Sequence, residues 1–216
     1  MRDMRVIFLL IALAGMVWAA EVRIAKPMPS FALTDLNGQS LTSSNCAGQT
    51  LVIGGDGRYF NREAIQTILR IAAGNGVGRV WVAQNGILST PAMSCVIRAR
   101  GAVGGIVLSA SHNPGGIDAD FGVKYNGTNG GPAPEEITER IYKKTTEIAE
   151  YRIVEGTVDI DQLGSSRLGD TEVVVFDPLD DYSALMQQIF DFPKLRERVA
   201  ARDDGSAKSV SVPYVC

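Results

Sequence analysis

Short apolar runs alternate with helix-spaced apolar stripes from Leu51 onward. The run Leu51–Ile53 predicts a strand that ends in a glycine-rich turn at Gly54–Gly57. Five apolar residues then recur at helical spacing and predict a helix that stops at Gly74–Gly76: Ala64, Ile65, Ile68, Leu69 and Ala72. Val80–Ala83 predicts the second strand.

The alternation continues through the middle of the chain. Pro91 lies where the first turn of a helix is expected, ahead of the apolar residues Met93, Val96 and Ile97. Gly105–Leu108 predicts a third strand. Two further elements follow: a short alternating strand at Phe121–Tyr125, and a helix that opens at Pro134–Glu136 with two carboxylates in its first turn and reaches about Tyr151.

This order of elements predicts an α/β fold with three layers. Strands that alternate with helices imply right-handed crossovers and a mostly parallel sheet covered on both faces. Ligands bind such sheets at the carboxyl ends of the strands. The loops Gly54–Arg58 and Ser109–Gly116 both follow strand ends, so we expect them to lie at one site.

The pattern is less regular after Ile153. We expect loop and irregular strand over Gly156–Asp170, a strand at Val173–Phe176, and helices at Tyr182–Phe190 and Lys194–Ala201. The chain is therefore divided into a hydrophobic leader (1–20), a polar linker or hairpin segment (21–50), an α/β domain (51–153) and a C-terminal extension (154–216). The extension is expected to lead toward a second domain that is missing.

Residues 1–20 are arranged like a signal peptide. Two arginines in Met1–Arg5 precede the apolar or small residues Val6–Val17, and Ala19 and Ala20 stand before the charged Glu21. The run is shorter than the roughly 18–20 apolar residues of a spanning helix. A buried hydrophobic helix and an artefact of the gene model are the alternatives.

The stretch Lys26–Thr50 is polar, with a tight turn predicted at Asn37–Gly38 between two short apolar segments. Ser30–Leu41 resembles the opening hairpin of exported thioredoxin-like proteins. The CxxC pair that such a domain needs is absent from the sequence, which argues against that reading.

Composition narrows the classes of function. A net charge of −3 and the lack of a Lys or Arg run argue against nucleic acid or an anionic surface as a partner. Three cysteines without CxxC spacing (Cys46, Cys95 and Cys216) argue against a disulfide framework and a zinc site. His112 is the only histidine, so a metal would need oxygen ligands.

The loop Ser109–Gly116 carries candidate chemistry. A strand delivers Ser111 to a turn in which Pro114 and two glycines stop both strand and helix. The hydroxyl of Ser111 is flanked by His112, a possible acid or base, and by backbone N–H groups that an anion can approach. A serine so placed can carry a phosphoryl group, although the same residues also occur in a plain polar turn with no catalytic role.

The surrounding residues distinguish these alternatives. The stretch GGIVLSASHNPGG, followed by DFGVKYNGTNGGPAPEEI, resembles the signature region of the phosphoglucomutases in the α-D-phosphohexomutase family. LVIGGDGRYFNREAI and QNGILSTPA are similar to the first domain of the same family, in the same order. The resemblance runs from about Gln49 to about Arg198 and is densest over Gly104–Pro134.

The resemblance implies the first of four α/β domains around one cleft. It implies transfer of phosphate between C1 and C6 of a hexose, with glucose 1,6-bisphosphate as the phosphorylating intermediate and Mg²⁺ as cofactor. Ser111 matches the phosphoserine, which would also ligate the metal through its phosphate, and His112 and Lys124 match positions associated with proton transfer. Asn113 and Arg58 are expected to bind the substrate or its phosphate, although Arg58 could instead pair with Asp56.

The chain departs from the family pattern in several loops. It has no match to a GTSGLR-like segment near the N-terminus, nor to the Asp-rich DGDxDR metal loop, the GEES-type sugar loop or the C-terminal phosphate loop. We therefore expect a truncated form that has little or no activity alone. We expect it to be cytoplasmic, to act on a hexose phosphate and to have no membrane partner beyond the leader. A non-catalytic binding or scaffold protein of this family and an exported protein are the alternatives.

Overall fold

The computed structural model describes residues 32–34, 40–42, 48–149 and 151–200. Strands β1 (Ala32–Thr34) and β2 (Ser40–Thr42) pair in antiparallel fashion, as the predicted hairpin requires. The turn predicted at Asn37–Gly38, the leader at 1–20 and residues 202–216 lie outside the described residues.

The remaining elements alternate along the chain as the hydrophobic pattern predicts. Six strands follow: β3 (Thr50–Gly55), β4 (Arg79–Ile87), β5 (Gly104–Leu108), β6 (Val123–Asn126), β7 (Gly164–Leu168) and β8 (Thr171–Phe176). Five helices accompany them within residues 48–149 and 151–200: α1 (Asn61–Gly74), α2 (Thr90–Ala99), α3 (Glu135–Glu147), α4 (Asp180–Ile189) and α5 (Phe192–Ala200).

The six strands form one sheet in the order β6-β5-β3-β4-β8-β7. The four central strands run parallel, and the two edge strands β6 and β7 are antiparallel to their neighbours. Successive residues of a strand point to opposite faces, so Leu51 and Ile53 pack with α1 whereas Val52 packs with α2. The expected three-layer α/β fold with a mostly parallel sheet is confirmed.

Helices α1 and α2 form because their apolar residues recur on one side. All five apolar residues predicted for α1 are buried, and so are Met93, Val96 and Ile97 of α2. Ser89 caps α2 through its side chain, which accepts a hydrogen bond from the Ala92 N–H, and Pro91 lies in the first turn, where its missing N–H is not needed.

Several element boundaries differ from the sequence-based expectation. Strand β4 extends to Ile87 through a register shift, with Asn85 and Gly86 both at positive φ. Strand β6 begins at Val123, two residues later than expected. Helix α3 ends at Glu147, because Ile148 adopts an extended backbone, whereas the apolar spacing predicted a helix to about Tyr151.

Strands β7 and β8 belong to the same sheet as the first strands. Val173 of β8 pairs with Val80 of β4, and β7 closes the edge. Residues 164–176 therefore complete the sheet, and the division expected after residue 153 does not coincide with a break between sheets.

The last two helices lie on the outside of this unit. None of residues 180–189 and 192–200 is buried, and Ile189, Phe190 and Val199 are at least half exposed. Arg100 anchors α4 by an ion pair with Asp181 at 2.7 Å. Across 48–149 and 151–200, no helix has the length and apolar character needed to cross a bilayer.

Candidate active site

Two loops meet at the carboxyl ends of the adjacent strands β3 and β5. The first follows Gly55, and its Asp56 N–H donates to the carbonyl oxygen of Leu108 at 3.0 Å. A Cβ on Gly55 would collide with the same carbonyl, so glycine lets the two strand ends approach this closely. This edge of the sheet is where parallel α/β folds bind ligands.

Ser111 projects from the second loop into solvent. Its backbone has a φ of 57°, in the left-handed region that residues with a Cβ rarely adopt. The Ser111 N–H donates to the side-chain oxygen of the buried Ser109 at 3.1 Å. The Ser111 hydroxyl accepts a hydrogen bond from Lys124 Nζ at 2.9 Å.

Lys124 reaches Ser111 because β6 returns antiparallel beside β5. Lys124 is opposite Val107 in the register, and its side chain is exposed, whereas the following Tyr125 is buried. A Cβ on Gly122 would collide with the carbonyl oxygen of Ser109, so the return depends on a glycine there. The loop thus brings an ammonium to the candidate phosphate-bearing oxygen, although 13 residues separate Lys124 from Ser111 in the chain.

Arg58 connects the two loops. Its guanidinium donates to both carboxylate oxygens of Asp56 at 2.8–3.0 Å, to the carbonyl oxygen of Asp120 at 2.6 Å and to that of Ser111 at 3.2 Å. The Arg58 side chain is only 7% exposed. Phe60 adds an edge-to-face contact with Phe121 across the same junction.

The Asp56 carboxylate stays charged in this setting. Burial alone would raise its pKa, but hydrogen bonds from Arg58 and from the Ser109 hydroxyl outweigh that effect and hold the pKa below its ordinary value. The Asp56 hydrogen bonds in turn raise the pKa of the Arg58 guanidinium. A charged pair therefore lies next to Ser111, with Arg58 in contact with the Ser111 carbonyl oxygen.

The remaining predicted residues lie on the exposed part of the loop. Asn113 Nδ2 donates to the Asp120 carboxylate at 2.8 Å, and its backbone N–H donates to the Ala110 carbonyl at 3.1 Å. The His112 side chain is exposed and makes no hydrogen bond to another described residue. The structure brings Ser111, Lys124 and Arg58 into direct contact and leaves Asn113 and His112 on the rim.

Sequence reasoning did not single out Ser109 or Asp120. Ser109 lies two residues before Ser111, at the end of a buried strand where an apolar residue would be ordinary, and that polar exception was an available signal. Asp120 contributes a backbone carbonyl to Arg58, and backbone groups leave no trace in side-chain patterns.

The described residues do not by themselves fit a Mg²⁺ site. Mg²⁺ prefers about six oxygen ligands, and the described part of the chain contains no group of three or more His, Cys, Asp or Glu residues that could hold a metal. The acidic group of this network, Asp56, has both its carboxylate oxygens engaged by Arg58. A phosphate on Ser111 would supply one ligand oxygen, and the others have to come from elsewhere.

The chain matches known proteins over most of its described length. Residues 26–152 match the model of the phosphoglucomutase/phosphomannomutase family, alpha/beta/alpha domain I. This match begins ahead of Gln49 and so includes the β1–β2 hairpin, where the motifs alone gave no resemblance to this family. The chain is 56% identical over 154 residues to the phosphoglucomutase of Rhizobium radiobacter, and 51% identical over 173 residues to the cytoplasmic phosphoglucomutase of Populus tremula.

A solved structure agrees in fold and sequence. The open form of pp63/parafusin, a phosphoglucomutase from Paramecium, matches with a TM-score of 0.67 and 36% identity over 87% of this chain. The matches cover 71% and 75% of this chain for the two curated relatives, but only 28% and 30% of the relatives, and 32% of the solved chain. The chain belongs to the phosphoglucomutase/phosphomannomutase family, and it corresponds to the family's first domain.

Proposed function

We propose that this chain carries the phosphoserine of a phosphoglucomutase and that Ser111 is the residue that holds the phosphate. The contact that supports this most strongly is the 2.9 Å hydrogen bond from Lys124 Nζ to Ser111 Oγ. A lysine ammonium at this distance stabilises the negative charge of a phosphate on that oxygen. The exposed, left-handed backbone at Ser111 presents the hydroxyl outward, where a sugar phosphate can approach.

The proposed reaction transfers one phosphoryl group at a time. The bond between phosphorus and Ser111 Oγ breaks while a hexose hydroxyl forms a new bond to phosphorus and loses its proton to a base. The departing Ser111 oxygen takes up a proton, and Lys124 is placed to deliver it. The resulting bisphosphorylated hexose returns its other phosphate to Ser111 by the reverse steps, so hexose 1-phosphate and 6-phosphate interconvert.

The other loop residues complete this proposal. His112 is adjacent to Ser111 and exposed, so it can exchange a proton with the sugar hydroxyl. Asn113 extends the polar rim that a sugar phosphate would contact. Phosphoryl transfer of this kind requires positive charge around the transferred group, which a divalent cation supplies in most such enzymes; the described residues supply Lys124.

Turnover is expected to need more than this domain. The curated relatives are more than three times as long as the parts that this chain matches, and oriented substrate and positioned charges from several sides lower the barrier of phosphoryl transfer. We propose that the 216-residue chain accepts phosphate on Ser111 but does not interconvert hexose phosphates at a measurable rate. We place the reaction in the cytoplasm, as the name of the relative from Populus tremula indicates for that protein. Cell fractionation separates this location from export through residues 1–20.

A domain exchange tests the proposal. The stretch of the Rhizobium radiobacter phosphoglucomutase that aligns with this chain would be replaced by the 154 aligned residues of this chain. The chimera should convert glucose 1-phosphate to glucose 6-phosphate, and Ser111→Ala in it should abolish turnover, whereas Ser166→Ala on the exposed edge strand β7 should not. A folded chimera that binds substrate without turning it over would favour the non-catalytic alternative.

A further inference from the structure

We propose that Asp56, Arg58 and Ser109 form a positioning network that holds the Ser111 peptide in its left-handed conformation and so aims the hydroxyl at Lys124. This inference rests on the proposed function of Ser111, and it assigns Arg58 to positioning and not to phosphate binding. These three residues are called the Asp56 network below.

The backbone of Ser111 requires such support. A φ of 57° places the Ser111 Cβ close to a carbonyl oxygen, which makes the conformation unfavourable for a serine. Ser111 and the five residues that follow it are not buried, so packing does little to fix the loop. Directed hydrogen bonds to the peptide groups of Ser111 are therefore the main restraint available.

Both peptide groups of Ser111 are held by members of the network. The N–H of Ser111 donates to Ser109 Oγ at 3.1 Å, and its carbonyl oxygen accepts from Arg58 Nη2 at 3.2 Å. These two bonds fix the orientation of the peptides on either side of the Ser111 Cα. Loss of either bond would let the residue relax toward an ordinary backbone and move its hydroxyl.

Asp56 holds Arg58 in place. Its carboxylate accepts from Nε and Nη2 of Arg58 at 2.8–3.0 Å. Because Nη2 also donates to the Ser111 carbonyl oxygen, Asp56 fixes the guanidinium nitrogen that restrains the loop. Ser109 restrains the other side of Ser111 by accepting a hydrogen bond from the Ser111 N–H.

The contacts of Arg58 favour positioning over ligand binding. All three guanidinium nitrogens donate to protein oxygens, with Nη1 held by the Asp120 carbonyl at 2.6 Å. The side chain is 7% exposed, which leaves little surface for a phosphate to contact. The Arg58 charge also offsets Asp56, whose carboxylate would otherwise repel a phosphate on Ser111.

The first test measures the network directly in the unphosphorylated 216-residue chain. Amide hydrogen exchange at Ser111 would be followed by NMR in the wild type, Ser109→Ala, Ser109→Thr and the control Ser166→Ala. Ser109→Ala should accelerate exchange of the Ser111 amide by about fivefold, the factor that one ordinary hydrogen bond contributes. Ser109→Thr, which keeps the hydroxyl, should restore slow exchange, and Ser166→Ala should leave it unchanged. Equal exchange in the wild type and Ser109→Ala would overturn the proposal.

The second test separates positioning from phosphate binding at Arg58. Phosphate incorporation at Ser111 from glucose 1,6-bisphosphate would be measured over a range of donor concentrations in the wild type, Arg58→Lys and Arg58→Gln. Positioning predicts that both variants lose about tenfold or more in the maximal rate, with the half-saturating donor concentration unchanged, because Lys cannot reproduce the forked geometry. A raised half-saturating concentration with an unchanged maximal rate would overturn the assignment of Arg58.

The two tests also distinguish this inference from the function on which it rests. A wild-type chain that incorporates no phosphate while Ser109→Ala accelerates Ser111 exchange would count against the phosphoserine and support the network. Incorporation at Ser111 that is insensitive to Arg58→Lys and Ser109→Ala would support the phosphoserine and overturn the network.

Discussion

Removing two carbons from Val173 tests whether β8 is part of the core. Val173 is 0% exposed, pairs with Val80 of β4, and packs in the cluster that lies beneath α1. Burial of each carbon contributes about 0.8 kcal/mol, and the cavity that remains adds a further term. Val173→Ala should therefore lower the free energy of unfolding by about 2 to 3 kcal/mol.

Equilibrium unfolding in urea measures this loss. With a denaturant slope of about 2 kcal/mol per molar, the midpoint should fall by about 1 M. Val80→Ala, at the opposite position in the register, should lose a similar amount, and Val199→Ala, at a valine of α5 that is 64% exposed, should lose less than about 0.5 kcal/mol. If Val173→Ala costs no more than Val199→Ala, the segment after residue 153 does not contribute to the core and the account of the sheet is wrong.

Three further predictions concern the serine loop. The pKa of Asp56 lies below its ordinary value of 3.8, so its hydrogen bonds should stabilise the fold fully above pH 3.8. This stabilisation should be lost as the pH falls through the lower pKa of the folded state. Urea unfolding across this range should show the loss of stability in the wild type and a smaller loss in Arg58→Gln. Gly122→Ala should destabilise the chain and impair phosphate incorporation, because the new Cβ would collide with the Ser109 backbone carbonyl oxygen. Gly116→Ala should have little effect, because the nearest atom to its new Cβ is the Ala119 Cβ at 3.7 Å. Equal urea midpoints for the two variants would contradict this. Lys124→Met should slow incorporation at Ser111 by about a hundredfold by removing the ammonium from the reacting oxygen, with Lys124→Arg intermediate, and a rate within about threefold of wild type would refute that role.

The elements with a clear local signal were predicted well from the sequence. Local spacing in a single sequence is enough to indicate these elements. Helices α1 and α2 show apolar residues three or four positions apart, and strands β3 and β5 show short apolar runs. The serine loop was found because a strand ends where proline and glycines forbid its continuation. Where local interactions determine an element, the sequence pattern was sufficient to predict that element.

The features that were not predicted depend on contacts between distant parts of the chain. Nothing near Val173 indicates that β8 inserts beside β4, since a buried parallel strand has the same apolar pattern at any position in the sheet. The end of α3 was placed too late because Ile148 and Tyr151 continue the apolar spacing although the backbone becomes extended. The bonds from Arg58 to the carbonyls of Ser111 and Asp120 span 53 and 62 residues and involve backbone acceptors.

The most direct test of the account is the position of the phosphate. The chain would be incubated with glucose 1,6-bisphosphate and Mg²⁺ and its peptides mapped by mass spectrometry, beside Ser111→Ala as the matched control. We expect phosphate on Ser111 in the wild type and none on the same peptide in Ser111→Ala. Phosphate on Ser109 or Thr128, with Ser111 unmodified, would contradict it.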